Sequence, residues 1–153
     1  MIGVQLMPVN DTNQAKMWWN LFMSSDLFYF RLFQDCSFNK LQSDTAVKVS
    51  FQGIMRVYGS STKCNRWFFK FNGNECSGPR TIEAVVYNGW PSGSPNLHHH
   101  RSFEGYCENI PQGTVRVELW VGSCPSGDTL GDAYTGWMSV SRIMIEEVSR
   151  PQP

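Results

Sequence analysis

The stretch TVRVELWV, residues 114–121, decides the fold class. Val115, Val117, Leu119 and Val121 fall on one side of an extended chain, and Arg116, Glu118 and Trp120 on the other. Successive β side chains point to opposite faces, so this alternation predicts a strand with one face in a core. The same period recurs on both sides of it. In TAVKVSF (45–51), Val47, Val49 and Phe51 oppose Lys48 and Ser50, and Gly53 is expected to break this run before IMRVY (54–58), which ends at Gly59. RWFFKF (66–71) stops at Asn72-Gly73, a strong tight-turn signal, and TIEAVVY (81–87) stops at Asn88-Gly89. SVSRIMIEEV (139–148) closes the series, and beyond residue 40 no segment carries a helical period. Short alternating strands separated by Gly/Pro turns predict an all-β fold, an antiparallel β-sandwich of jelly-roll type.

Composition narrows the classes of function. The 153 residues make one domain's worth of chain, with 13 basic side chains balanced by 13 acidic ones. Such a balance supplies no field to recruit nucleic acid or anionic lipid. Residues 17–33, MWWNLFMSSDLFYFRLF, are the most apolar stretch, yet Asn20, Asp26 and Arg31 interrupt them, which makes a poor membrane span. Lys16 followed by Met17–Met23 has a faint likeness to a signal peptide, without a clean small-residue cleavage site. Asn10-Asp11-Thr12 is a glycosylation sequon if the chain enters the secretory pathway.

The five cysteines, Cys36, Cys64, Cys76, Cys107 and Cys124, form no C-x-x-C pair, which disfavours structural zinc. In a turn-rich, Trp-rich chain they read as disulfides of a secreted domain, against the alternative of buried reduced thiols. Their odd number leaves at least one unpaired within the chain, and the connectivity is not legible.

Three adjacent histidines, His98, His99 and His100, are the only ones present. On a strand, His98 and His100 share a face and His99 opposes them. Two histidines at that spacing fall short of a four-ligand zinc site, but copies of His98 or His100 meeting on a trimer axis would make a metal or pH-sensitive contact. The competing reading is a polar strand edge or loop after Pro91-Ser92-Gly93-Ser94-Pro95. A thiol nucleophile at Cys107 would need an adjacent base and exposure, and a disulfide is the better reading. Asp128 and Asp132 lie in a Gly-rich loop, where calcium is a minor alternative to an ordinary Asp/Gly turn. Trp67 and Trp137 look buried and structural. Trp120, beside Arg116 on the face opposite the aliphatics, is a candidate interface anchor, alternatively covered by its own chain. Trp90, Tyr87 or Trp120 would be the stacking platform of a carbohydrate-binding sandwich, the alternative to a protein-binding head. No nucleophile, base and acid occur in a coherent spacing, and no H-E-x-x-H is present, so an enzyme is not expected, nor a cofactor.

WFFKFNGNECSGP (67–79), VELWVGSC (117–124) and GDAYTGWMSVSRIMIEEV (131–148) resemble the C-terminal globular domain of collagen triple helix repeat-containing protein. DCSFNKLQSDTAVKV (35–49) and SFEGYCENI (102–110) fit the same domain in the same order. The resemblance implies a secreted, extracellular-matrix protein with a complement/tumour-necrosis-factor-like head that assembles as a homotrimer. It further implies a part in Wnt and Frizzled signalling, collagen deposition and cell migration, with no catalytic residue. On this basis residues 1–34 are a divergent N-terminal extension, 35–149 the head and 150–153 a tail. The collagen-like Gly-x-y segment is absent, and residues 1–34 lack the family's lead-in cysteine. Cys36 thereby becomes the candidate for an unpaired or intermolecular thiol, with Cys64, Cys76, Cys107 and Cys124 as disulfide candidates.

Overall fold

The computed structural model describes residues 4–8, 31–90, 92 and 95–150. Ten strands run through them: β1 (Val4–Pro8), β2 (Arg31–Lys40), β3 (Thr45–Tyr58), β4 (Lys63–Phe71), β5 (Asn74–Glu75), β6 (Glu83–Asn88), β7 (His99–Cys107), β8 (Gly113–Ser123), β9 (Asp132–Thr135) and β10 (Arg142–Ser149). Two antiparallel sheets result. One has the order β1-β10-β3-β7 with β9 also on β3, and the other β2-β8-β4-β5 with β6 also on β4. The expected all-β antiparallel sandwich is therefore the architecture observed, and no helix occurs among the described residues. Within the stretch read as an extension, β1 pairs with β10 and β2 begins at Arg31. The sequon at Asn10 lies outside the described residues.

The alternation in β8 does what it predicts. Val115, Val117 and Leu119 are buried against Trp67, Phe69 and Phe71 of β4 and Val47, Val49 and Phe51 of β3, while Val121 packs at the margin. Burying aliphatic and aromatic side chains of this size contributes roughly 1.5–3 kcal/mol each before chain entropy is subtracted. Asn72 and Gly73 turn β4 into β5 with φ of 50° and 84°, the left-handed pair that a two-residue hairpin requires. At Asn88 the strand ends as expected, but no hairpin follows. Asn88 instead donates through Nδ2 to the Val57 carbonyl (3.1 Å) and accepts from the Trp90 amide (3.4 Å), launching a long connection to β7.

Gly53 does not break its strand. β3 runs unbroken from Thr45 to Tyr58, and Gly53 pairs across to Arg101. A glycine stands there because a Cβ would lie 2.3 Å from the Ser141 hydroxyl and 2.8 Å from the Phe51 ring, both buried. Gly53→Ala overpacks this crossing and is expected to cost about 1–3 kcal/mol. Urea unfolding reads the loss, and relief by Ser141→Gly in the same chain identifies the contact; an unchanged midpoint for Gly53→Ala excludes it.

Candidate functional site: a cleft where the sheets part

Among the described residues β6 is hydrogen-bonded only to β4 and β7 only to β3, each with one edge that no described strand pairs. Between these edges lies a cleft of about 130 Å³. Met55, Arg56 and Val57 of β3 line it, with Val86, Tyr87 and Asn88 at the end of β6. Gly89, Trp90, Pro95 and Leu97 of the following connection and His99 and Arg101 of β7 complete it. His99 and Arg101 reach it through register. They pair with Met55 and Gly53 and share the inward side of β7 with Phe103 and Cys107. Trp90 is 58% exposed and Tyr87 59%, both well above what a packed aromatic shows.

Arg56 is the fixed element of the wall. Although only 8% exposed, it is held by the Asp132 carboxylate at 2.5 Å and the Asn96 side-chain oxygen at 2.8 Å. Its guanidinium lies over the Tyr134 ring at 5.3 Å and the Tyr58 ring at 5.6 Å. Asp132 is thus committed to an ion pair, and Asp128 accepts from the Ser126 hydroxyl at 2.5 Å. Among the described residues no three His, Cys, Asp or Glu side chains are grouped to hold a metal ion.

The histidine triplet is divided three ways. β7 begins at His99, so His98 and His100 do not share a strand face as expected. His99 lines the cleft, His100 is exposed opposite Ile54, and His98 packs under Trp137 with ring centres 4.2 Å apart. His98 also meets the Tyr134 ring edge-on at 5.8 Å. Its titration is shifted downward, first by burial and then by the Arg56 charge. A histidine held neutral by the fold contributes stability that is complete above its ordinary value near pH 6.5. That contribution is lost as pH falls from there toward the lowered folded value, because the unfolded chain takes up the proton first. Thermal unfolding at pH 7.5 and 5.5 is expected to fall more for this chain than for His98→Gln; equal falls would remove His98 from the account.

Trp67 is fully buried, its indole N–H donating to the Thr135 hydroxyl at 2.9 Å. Trp137 departs from the buried role expected of it. It is 43% exposed, because it sits in the β9–β10 connection beyond the last paired residue and covers His98 with only one of its faces. Met138 beside it is 82% exposed with φ of 46°, and Val140 is also exposed.

Trp120 does lie opposite the β8 aliphatics. It is half-buried, with Lys70 Nζ 4.4 Å above its ring and its indole N–H donating to Glu118 at 3.1 Å. Arg116 joins Glu118 (2.9 Å) and Asp35 (2.8 Å), and the Asp35 hydrogen bond is the foremost reason its titration is raised. These partners tie Trp120 and Arg116 into their own sheet. Trp120 pairs across from Phe68 whereas Tyr87 pairs across from Cys64, so Trp120 stands apart from the cleft aromatics.

The cysteines pair as Cys64–Cys124 and Cys76–Cys107, and Cys36 is free. Set against known protein families, residues 9–145 match the one described as CTHRC1, C-terminal domain. The chain belongs to that family. CTHRC1 membership sets it in the context of an extracellular collagen-repeat protein, and two disulfides accord with an oxidising compartment. The CTHRC1 match begins at residue 9 and ends within β10. Among the described residues no helix is long and apolar enough to cross a membrane. Arg56, Leu97, His99 and Arg101 were not singled out as CTHRC1-domain site residues from sequence. The turn-rich NGWPSGSPNL (88–97) next to an exposed-type Trp was the available signal.

Proposed function

We propose that this CTHRC1-family domain is a secreted, non-catalytic protein-binding head of the extracellular matrix that acts as a homotrimer. Its role on this reading is to help Wnt ligands engage Frizzled receptors, with effects on collagen deposition and cell migration. Family membership supports the reading, and the order in which the chain crosses between the sheets supports a head of jelly-roll type. The observation that carries a binding role is the β9–β10 connection, which holds Trp137, Met138 and Val140 out to solvent on a disulfide-stapled scaffold. Aromatic and methionine side chains displayed in this way are the material of interface anchors.

Two measurements test it. Sedimentation at micromolar concentration is expected to give three times the chain mass, and a clean monomer overturns the trimer. Capture of Wnt and Frizzled ectodomains is expected with the parent chain and is expected to be lost with Met138→Glu, whose side chain is already in solvent and carries no core packing. Capture by neither ectodomain overturns the partner assignment.

A further inference from the structure

We propose that the cleft between β6 and β7 binds one unit of an acidic polysaccharide, stacked on Trp90 and Tyr87 with its sulfate or carboxylate facing Arg101 and His99. The proposal goes beyond protein binding and rests on reading Trp90 and Tyr87 as a stacking platform. The cleft's volume of about 130 Å³ is of the order of the roughly 150 Å³ cavity that takes a benzene ring in another protein, a scale that suits contact with a single ring rather than several. Two aromatic rings, each more than half exposed, offer flat apolar faces to the C–H side of such a ring.

The polar lining decides which sugar. Neutral sugars present hydroxyls that need acceptors as well as donors, and carboxylates or free amides normally supply them. Among the described residues no Asp or Glu lines this cleft, and both ends of the Asn88 amide are used by the Val57 carbonyl and the Trp90 amide. Three basic side chains do line it. Arg56 is spoken for by Asp132 and Asn96, but Arg101 enters none of the ion pairs among the described residues. An unpaired guanidinium beside a His and two open rings fits a planar or tetrahedral anion carried on a sugar. An acidic peptide would use Arg101 equally well but gives no reason for two exposed aromatic side chains lining the same small cleft.

Calorimetric titration of the full chain separates the cases, with heparin hexasaccharide as the sulfated probe and hyaluronan hexasaccharide as the carboxylate probe. Maltohexaose serves as the neutral probe and poly-glutamate as the acidic peptide. Binding of one or both acidic saccharides is expected, weakened by salt, with none for maltohexaose. Trp90→Ala and Arg101→Gln, both at exposed positions, are each expected to weaken it about tenfold or more. Trp90→Phe is expected to retain binding, and Trp120→Ala and Met138→Glu to leave it unchanged. Equal binding of maltohexaose keeps the platform and overturns the acidic preference. Poly-glutamate binding as tightly as the saccharides, or acidic-saccharide binding indifferent to Arg101→Gln, overturns the proposal outright, as does no binding at all. Loss of Wnt or Frizzled capture alone leaves these outcomes untouched, so the two readings fail separately.

Discussion

Replacing Cys64 and Cys124 together by serine is expected to lower the unfolding free energy by about 4 kcal/mol, the loop-closure value for a bridge of this span. The two cysteines are 60 residues apart in sequence. In the fold they are the next step of an existing ladder, since Asn65 pairs with Ser123 and the bridge extends that register by one position. The sheet already holds the two chains together in the native state, so the bond acts mainly by restricting the unfolded chain. The Cys64 amide also donates to the Thr129 carbonyl at 3.0 Å, tying the segment after the bridge back to β4. Cys76–Cys107 spans 31 residues and joins the end of the β5 region to the end of β7, from one sheet to the other. Halving the loop length reduces the closure contribution by only about 0.6 kcal/mol. The two paired substitutions are therefore expected to lower urea midpoints by similar amounts, with the longer loop losing slightly more. Both cysteines of a bridge are replaced so that no new thiol can exchange with Cys36. Midpoints unchanged in both variants would mean that neither bridge constrains the unfolded chain.

How much of this was legible depended on whether a signal was local. The β8 aliphatics and the Asn72-Gly73 turn were readable because a period of two and a positive-φ pair are written in adjacent residues. Gly53 misled because a glycine required by a neighbour looks like a glycine that ends a strand; Ser141, which requires it, is 88 positions away in the chain. β4 hid its two-sidedness for a related reason. Trp67 and Phe69 face the core, yet Phe68 on the other side is also buried, with the Arg66 guanidinium 4.0 Å from its ring centre. Arg66 is held in turn by Glu75 and Glu83. Alternation in hydrophobicity fails where a charged side chain serves as the cover. The cleft was illegible as a site because β3, β6 and β7 bring its wall together from three separate stretches. Its two aromatics were visible in the sequence, but its basic lining depends on which face of β7 carries His99 and Arg101. That face is set by the β3 register and by where β7 begins, which strand boundaries in sequence do not fix. For the same reason the expected shared face of His98 and His100 is not found, since a strand that starts at His99 leaves His98 off it.

Removing the Glu147 carboxylate is expected to destabilise the domain by about 3 kcal/mol or more, the usual cost of leaving buried polar partners uncompensated. Glu147 of β10 is 3% exposed, and its oxygens accept from the Leu41 amide at 2.7 Å, the Gln42 amide at 2.8 Å and the Thr45 hydroxyl at 2.5 Å. Those three donors belong to the crossover from β2 to β3, where the chain passes from one sheet to the other. Lys40, also buried, bonds the Gln42 carbonyl and places its charge near the same carboxylate. Glu147→Leu would leave two backbone N–H groups and the Thr45 hydroxyl without this acceptor, and the buried Lys40 ammonium without its nearby countercharge. Glu147→Gln keeps the shape and one acceptor oxygen and is expected to lose roughly half as much. The charge also has a pH signature. Burial, the largest single influence, pushes the carboxyl upward, but the hydrogen bonds from Thr45, Leu41 and Gln42 and the Lys40 charge together hold it below its ordinary value of 4.5. A carboxylate lowered by folding contributes stability that is complete above its ordinary value and is lost as pH falls through the lowered folded value. Urea midpoints measured from pH 7 down to pH 3 are therefore expected to fall more steeply below about pH 4.5 for the parent chain than for Glu147→Gln. Parallel curves would mean that the crossover is held by Thr45 and the backbone without the charge. A Glu147→Leu chain as stable as the parent would sink the assignment of Glu147 as the group that fixes the β2–β3 crossing.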